Sequence, residues 1–375
     1  MVDSSFCQRD KYLPGHQVRS KIIFLTWMYL MTDQIKTAKP VKFTLWHYLP
    51  VLLILGMAGY FLYPQIASLT RSWYVVQSMT LWAVLTAAAA ETISWIGNGV
   101  IFHYILKASG SKLSVGKGSL IAIATLAISL VAGGGVGLAA SYGWLYRESK
   151  DGNSAFLAGT LPAFFNTGTI MAASIIGVIY LFVVHDLTTG QLIQFAVALL
   201  FLSSIAVITI MGFRSHELVK KLGVWGLSRW AKVRQQPYDP ERTITDIDKF
   251  FESSKSMGNG RWALALLGAV INVGFDMLAM FFLFIAAGHE ISVGTLFAGY
   301  GLPLVLAKVA FIFPGGIGVV ESSMNGLFSG LGVPDAISVV VVMCYRLFSF
   351  WIPTILGFGA DRKSTRLNSS HRIRT

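Results

Sequence analysis

The stretch Phe313–Ser322 reads FPGGIGVVES and lies within strongly apolar sequence near the end of the chain. Proline lacks the backbone N–H that a helix needs, and glycine loses more backbone entropy on folding than any other residue. The close grouping of one proline with three glycines therefore predicts a helix break, at Pro314, Gly315, Gly316 and Gly318. Inside a membrane, such a break is tolerated only where it is buried in protein or lines a wet cavity, so the stretch marks a candidate site.

Composition indicates that this break belongs to a membrane protein. The 375 residues are 54% hydrophobic and 13% charged, with a mean hydropathy of +0.62. Several apolar runs reach about 20 residues, the length that crosses a bilayer as a helix. We therefore predict an all-α polytopic membrane protein with about six full transmembrane helices and two re-entrant hairpins. The predicted spans are at about 45–63, 79–106, 155–184, 192–213, 262–287 and 335–358.

The two hairpins are predicted from a pair of similar segments. Residues 129–141 read SLVAGGGVGLAAS and residues 311–323 read FIFPGGIGVVESS, with the same glycine spacing after an apolar arm. The first hairpin is predicted at 119–141 and the second at about 295–331. The first breaks at Gly133, Gly134 and Gly135. Entry from opposite sides would make them an inverted repeat, which is typical of alternating-access transporters. The alternative is a chance match between two glycine-rich apolar runs.

Charged loops set the expected orientation and the domain boundaries. Basic residues concentrate before the first span and in the loop at 214–261, and basic loops stay in the cytoplasm. We therefore expect residues 1–44 and this loop to be cytoplasmic, with the membrane domain at 45–360. Met31 begins a polar and then basic run typical of a natural start, which leaves open whether residues 1–30 are native. Residues 361–375 resemble a translated sequencing adapter and are interpreted as an artefact.

Charged side chains within the apolar segments are the main candidates for a site. They are Glu91, Asp276, Lys308, Glu321 and Arg346. A charge at that depth costs about 2.5–3.5 kcal/mol on insertion scales, so we expect each of them to face the protein interior and to pair. The polar residues expected beside them are Asn98, Asn272 and Tyr345, and Asn98 shares a helix face with Glu91 and Trp95.

Two interpretations of these charges stay open. In the first, they form structural ion pairs that hold the helices together. In the second, Arg346, together with Lys308, binds a lipid phosphate, because a planar guanidinium holds two phosphate oxygens and stays charged. Glu91, Asp276 or Glu321 then faces a cationic headgroup or carries a proton.

The sequence gives no positive sign of catalysis or of a cofactor. Cys7 and Cys344 cannot form a disulfide framework, and no spacing of His, Cys or acidic residues indicates a metal site. No nucleotide-binding glycine motif follows a strand pattern. We therefore expect no cofactor, no metal and no catalytic residue. We also expect no nucleic-acid partner, because the basic excess lies mostly in loops, as the positive-inside rule describes.

The closing part of the chain resembles a known family. A P-G-G-x-G-x-x-E turn, a G-V-P, a Y-R and a W-x-P follow one another at Pro314–Glu321, Gly332–Pro334, Tyr345–Arg346 and Trp351–Pro353. This order is similar to the closing signature of the lysylphosphatidylglycerol synthase transmembrane-region family, which includes the flippase-like domain of the multiple peptide resistance factor. The resemblance implies a multi-pass protein of the bacterial inner membrane that moves a phospholipid or lipid-linked intermediate between leaflets.

Other functions stay open beside translocation. The family name refers to lysyl transfer onto phosphatidylglycerol, a reaction that resembles the work of an appended soluble domain that this chain lacks. The alternative is therefore the membrane part or accessory of a lipid-modifying enzyme, with the partner bound through the basic loop. The basic start of that loop, residues 218–234, is expected either to lie on an anionic leaflet or to be a solvated connector. A homo-oligomer is also compatible with the sequence.

Overall fold

The computed structural model describes residues 72–132, 134–184, 215–234, 238–255, 258–309 and 316–358, with isolated positions between 189 and 204. All of them belong to one compact unit, Ile54–Thr375. Every regular element in these ranges is helical, which confirms the predicted all-α class.

The helices are numbered here in chain order. The first five are α1 (Trp73–Ser78), α2 (Leu81–Ala108), α3 (Val115–Ala132), α4 (Gly134–Ser149) and α5 (Gly152–Val184). The others are α6 (His216–Arg234), α7 (Pro240–Lys255), α8 (Gly258–Ala286), α9 (Val293–Val309), α10 (Val319–Gly330) and α11 (Asp335–Arg346). After α11 the chain continues through a π-helical turn, Leu347–Trp351, into a final helical stretch that ends at Phe358.

Within the described residues, four stretches are long and apolar enough to cross a membrane: Leu81–Ala108, Gly152–Val184, Trp262–Ala286 and Asp335–Phe358. The shortest has 24 residues. At 1.5 Å per residue this is about 36 Å of helix, more than the hydrocarbon core of about 30 Å. They correspond to the second, third, fifth and sixth predicted spans. The predicted spans at 45–63 and 192–213 lie wholly or largely outside the described residues.

The first glycine-rich segment joins two antiparallel helices. α3 ends and α4 begins around Gly133, which itself lies outside the described residues. The two helices pack closely, because a Cβ added to Gly137 would lie 3.0 Å from the carbonyl oxygen of Thr125. The first turn of α4 contains Gly134 and Gly135. The helix pair is longer than the predicted 119–141, and its depth in a membrane stays a prediction.

The second glycine-rich segment joins α9 to α10. Residues 310–315, which include Pro314 and Gly315, lie outside the described residues. The remainder of the turn departs from helical geometry, since Gly316 and Gly318 have positive φ angles of 67° and 83°. A side chain in this left-handed region costs roughly 1–2 kcal/mol, which glycine avoids. Gly318 is the N-cap of α10, so the turn ends where this helix begins.

Helices α2 and α8 run antiparallel and pack against each other. The N–H of Thr80, just before α2, donates to the carbonyl oxygen of Ala286 at 3.0 Å. Further along, the Nδ2 of Asn272 donates to the Ser94 carbonyl oxygen at 3.0 Å and to the Ser94 hydroxyl at 2.9 Å. These two contacts fix the register of α2 against α8, and the register decides which of their side chains meet.

Small residues allow this close crossing. A Cβ on Gly97 would lie 2.5 Å from the backbone nitrogen of Asn272, and one on Gly268 would lie 2.9 Å from the backbone nitrogen of Ile101. Glycines that let two backbones approach, with a polar side chain bonded across the interface, are typical of helix pairs in membranes. The α2–α8 pair therefore has the construction expected of a membrane domain.

Each hairpin also packs on a long helix from the other half of the chain. In the second hairpin, α9 lies against α5, where a Cβ on Gly177 would be 2.5 Å from the backbone nitrogen of Ala298. In the first hairpin, α3 lies against the end of the last span, where a Cβ on Gly357 would be 2.7 Å from the Ile123 carbonyl oxygen. This reciprocal packing agrees with two related halves, although the inverted repeat itself stays a prediction.

Candidate functional site

Arg346 and Glu321 form a buried ion pair beside the glycine turn. The Nε of Arg346 donates to the Oε1 of Glu321 at 2.7 Å. The two side chains are 6% and 1% exposed, respectively. The N–H of Gly318 donates to the other carboxylate oxygen, Oε2, at 2.7 Å. Glu321 therefore caps α10 and holds Arg346 at the same time, so the position of the arginine depends on the glycine turn.

Arg346 also marks the end of regular α-helix in the last span. Its guanidinium carbon lies 4.3 Å from the ring centroid of Phe350, which is a cation–π contact. The π-helical turn Leu347–Trp351 follows directly. Single turns of π-helix are rare and occur frequently at functional sites. Arg346 is thus placed between two departures from α-helical geometry, the glycine turn and the π-helical turn.

Asp276, on α8, accepts hydrogen bonds from two tyrosines. The hydroxyl of Tyr300 donates to its Oδ2 at 2.7 Å, and that of Tyr345 donates to the same oxygen at 3.0 Å. Both tyrosines are buried, and their rings meet edge to face with centroids 6.2 Å apart. Burial favours the protonated form of this carboxyl group, and the two hydroxyl donors and the nearby positive charge of Arg346 offset part of that effect.

Glu91, on α2, meets Asp276 across the α2–α8 interface. It is 5% exposed, and its carboxyl group also lies beside the indole of Trp95. Among the described residues, three buried polar atoms here have no hydrogen-bond partner: Glu91 Oε2, Trp95 Nε1 and Asp276 Oδ1. Since buried polar atoms are nearly always paired, these atoms mark a position for a proton, a water molecule or a ligand group.

Together these side chains form one site, which we call the carboxylate–arginine cluster. Its members are Glu91, Asp276, Tyr300, Glu321, Tyr345 and Arg346. They come from α2, α8, α9, α10 and α11, so the site exists only when these helices are packed. Within the ranges that the structure describes, no group of three His, Cys, Asp or Glu side chains is placed to hold a metal ion.

Three of the side chains predicted for the site lie elsewhere. Lys308 is exposed near the C-terminal end of α9. Asn98 accepts a hydrogen bond from the Nδ2 of Asn166 at 2.8 Å, which ties α2 to α5. Asn272 bonds to Ser94, as described above, and ties α8 to α2. The two asparagines therefore join helices, a common use of amide side chains in membranes, and they are not members of the cluster.

Tyr300 is the member of the cluster that the sequence interpretation missed. It lies in the apolar arm of the second hairpin and is fully buried. A tyrosine hydroxyl within an apolar segment needs a hydrogen-bond partner, and this requirement is the signal that could have made Tyr300 a candidate. The partner itself, Asp276, could not be identified without the packing of α9 on α8.

The basic loop folds into two packed helices, α6 and α7. The Nζ of Lys220 and the Nε2 of His216 lie 2.8 Å and 2.7 Å from the same Oδ1 of Asp248. The hydrogen bond from Lys220 lowers the pKa of Asp248, and the same bond raises the pKa of Lys220. Away from this contact, α6 exposes an apolar stripe that contains Leu218, Leu222 and Trp225.

Curated relatives of the chain are described as membrane proteins. A UPF0104 membrane protein from Methanocaldococcus jannaschii is 32% identical over 124 residues, which are 32% of this chain and 37% of that protein. Another from Pyrococcus horikoshii is 34% identical over 119 residues, which are 31% of this chain and 35% of that protein. The matched part is thus only about a third of the length of these relatives.

The match to a family model is much longer. Residues 26–357 match the model described as the lysylphosphatidylglycerol synthase TM region. The matched range includes both hairpins and the whole carboxylate–arginine cluster. With several helices long and apolar enough to cross a bilayer, the chain is a multi-pass membrane protein. It belongs to the lysylphosphatidylglycerol synthase TM region family.

Proposed function

We propose that this protein is a flippase-like translocator that moves a phospholipid or a lipid-linked intermediate between the two leaflets of the bacterial inner membrane. The observation that carries the proposal is the carboxylate–arginine cluster, which gathers ionisable side chains inside an apolar helical domain. Ionisable residues at that depth are costly and typically line a path for a polar or charged group. A lipid headgroup is such a group, while its acyl chains remain in the bilayer.

Arg346 is the proposed ligand of the headgroup phosphate. A guanidinium presents several N–H donors in a planar fork that matches phosphate oxygens and stays charged. In the structure its Nε donates to Glu321, and in this proposal the headgroup phosphate takes the place of that carboxylate. Because the phosphate replaces the Glu321 carboxylate directly, the buried arginine is always paired with an anion. This exchange avoids the free-energy cost of an uncompensated buried charge.

The same exchange links headgroup binding to movement of the second hairpin. Glu321 bonds to Arg346 on α11 and to the N–H of Gly318 at the start of α10. A phosphate that displaces the carboxylate from Arg346 therefore breaks the ion pair that joins α10 to α11. Broken helices beside the substrate, in hairpins that pack on the opposite half of the protein, are the usual construction of alternating-access transporters.

The orientation in the membrane forms part of the proposal. We place the N-terminus and the α6–α7 pair in the cytoplasm, because the basic residues of this loop suit the cytoplasmic side. Lys221, Arg229 and Lys232 are exposed on α6, and the guanidinium of Arg229 lies 5.0 Å from the ring of Trp225. Exposed cations with an interfacial tryptophan suit contact with an anionic leaflet.

A lipid-exchange measurement tests the proposal. The protein is reconstituted in liposomes with headgroup-labelled phosphatidylglycerol, and a membrane-impermeant quencher reports label that reaches the outer leaflet. We expect the wild type to expose inner-leaflet label and Arg346→Gln to lower the rate at least about tenfold. Arg147→Gln, at an exposed position near the C-terminal end of α4, is the matched control and keeps the wild-type rate.

A double variant separates binding from stability. A buried charge that loses its partner costs about 3–5 kcal/mol, so a single variant can lose activity by unfolding. Glu321→Gln/Arg346→Gln removes both charges and leaves neither unpaired. If the pair only holds helices together, this variant recovers stability and exchange rate together, which contradicts the proposal. If Arg346 binds the headgroup, stability recovers and the rate stays low.

A further inference from the structure

The register of α2 against α8 brings two carboxyl groups together. Asn272 bonds to Ser94 across the interface, and the helices run antiparallel. Glu91 precedes Ser94 by three residues, and Asp276 follows Asn272 by four, so both lie about one turn further along on the same side. The approach of these two acids is therefore a consequence of backbone packing.

The two carboxyl groups have different surroundings. Asp276 receives the hydroxyl groups of Tyr300 and Tyr345 and lies near the charge of Arg346. Glu91 faces Asp276 and Trp95, and its Oε2 has no hydrogen-bond partner among the described residues. Burial favours the protonated form of both carboxyl groups, but only Asp276 has hydroxyl donors and a nearby cation that oppose it. Of the two, Glu91 is therefore the group that holds a proton more readily.

The charges around the pair lead to the same assignment. The ionisable groups that face it are Tyr300 from α9 and Tyr345 and Arg346 from α11, and Glu321 from α10 lies behind Arg346. Arg346 already compensates Glu321, to which it is bonded. If Glu91 and Asp276 were both ionised, the cluster would carry an excess of two negative charges inside an apolar domain. A proton on the pair removes one of these charges, and buried carboxyl groups commonly respond in this way.

We propose that Glu91 and Asp276 share one proton and form the site that couples lipid movement to a proton gradient. The inference rests on the proposed translocation. When a lipid phosphate replaces Glu321 at Arg346, the cluster holds the phosphate as well as the displaced carboxylate, so its negative charge increases and the pair takes up a second proton. When the phosphate leaves, Arg346 returns to Glu321 and that proton is released. Phosphate binding and proton binding therefore favour each other, which is the linkage that coupled transport needs.

Infrared spectroscopy tests the shared proton without any transport measurement. The reconstituted wild type at neutral pH shows the carbonyl band of a protonated carboxyl group. Glu91→Gln lacks the contribution of Glu91 to this band, because the residue that held the proton is gone. Asp276 then has no second acid beside it and stays ionised next to its tyrosine donors and Arg346. Glu290→Gln, at an exposed position after α8, is the matched control and keeps the band. A Glu91→Gln spectrum with the wild-type carboxyl band overturns the proposal.

Coupling is tested in liposomes that contain a pH-sensitive dye. An imposed gradient of one pH unit changes the wild-type lipid-exchange rate by up to about tenfold, whereas the rate of Glu91→Gln changes less than about twofold. The dye reports proton movement that accompanies lipid exchange in the wild type and is lost in Glu91→Gln. Glu290→Gln again behaves as the wild type.

The outcomes distinguish this inference from the proposed function. If the wild-type rate of lipid exchange does not depend on the pH gradient, proton coupling is overturned and the proposed translocation is not affected. Gradient dependence that Glu91→Gln retains in full overturns the assignment of the proton to this pair. Absence of exchange for every labelled lipid overturns translocation and the coupling with it, and the infrared comparison then decides whether the pair holds a proton.

Discussion

The Nε of Arg346 lies 2.7 Å from the Oε1 of Glu321, and the other oxygen of Glu321 accepts the N–H of Gly318 at 2.7 Å. One buried carboxylate therefore joins the last span to the glycine turn of the second hairpin. Because an unpaired buried charge is costly, α10 and α11 can separate only if another anion replaces the carboxylate at Arg346. The ion pair is a structural contact and, in the proposed function, also the point at which a substrate phosphate binds.

Removal of the carboxylate alone should destabilise the protein strongly. Glu321→Ala leaves Arg346 buried without its anion and should lower the free energy of unfolding by about 3–5 kcal/mol. Thermal unfolding of the purified protein in detergent measures the change. Glu290→Ala, at an exposed position, should leave the transition unchanged. A Glu321→Ala transition equal to that of the wild type would show that the pair contributes nothing to stability.

The two tyrosine hydroxyls that donate to Asp276 should each stabilise the folded protein. Tyr300→Phe and Tyr345→Phe each remove a hydrogen bond to a charged oxygen and should cost about 1.5–3 kcal/mol of stability. The double variant should cost more than the sum, because Asp276 then loses both donors. The same unfolding measurement checks this prediction, with Tyr74→Phe, an exposed tyrosine, as the control. Simple additivity would contradict a shared acceptor.

The crossing of α2 and α8 should tolerate no side chain at Gly97. Gly97→Ala places a Cβ 2.5 Å from the backbone nitrogen of Asn272, so the helices must separate, at a cost of about 1–3 kcal/mol. The matched control is Gly274→Ala on α8, where an added Cβ meets nothing within 4 Å. That change should be neutral or mildly stabilising, since alanine favours helix. Equal unfolding temperatures for the two variants would rule out the close crossing.

The α6–α7 contact should weaken at both extremes of pH. Lys220 lowers the pKa of Asp248 below its ordinary 3.8, so the pair contributes stability above that pH and loses it as pH falls through the lowered pKa. The pKa of Lys220 is raised above its ordinary 10.5, so its contribution is complete below that pH and disappears as pH rises through the raised pKa.

Hydrogen exchange of the loop backbone, followed from neutral pH to about pH 2, measures the acid effect after correction for intrinsic exchange rates. The change should be small, because the pair is exposed to solvent and screened by salt. Asp248→Asn should remove most of the acid dependence, whereas Glu252→Gln, exposed on α7, should retain it. An unchanged acid dependence in Asp248→Asn would assign it to other groups.

Local properties of the chain made several features predictable. The spans that the structure describes agree with the predicted ones because a long apolar run has few alternatives to a membrane helix. The positive φ angles of Gly316 and Gly318 agree with the predicted break, because glycine adopts such angles without steric cost and is unfavourable inside a helix. Boundaries were less accurate, as in the first hairpin, whose helices extend beyond 119–141, because the residues around its ends are compatible with helix.

The sequence by itself determined the all-α membrane class, the helix break at Gly316 and Gly318, and which ionisable side chains lie within apolar segments, because these follow from residue type and local pattern. Only the tertiary structure decided the partners. It joined Arg346 to Glu321 and Tyr300 to Asp276, and it left Lys308 outside the cluster. Such contacts depend on the crossing and register of helices far apart in the chain, which glycine contacts and interhelical hydrogen bonds fix only after the helices pack.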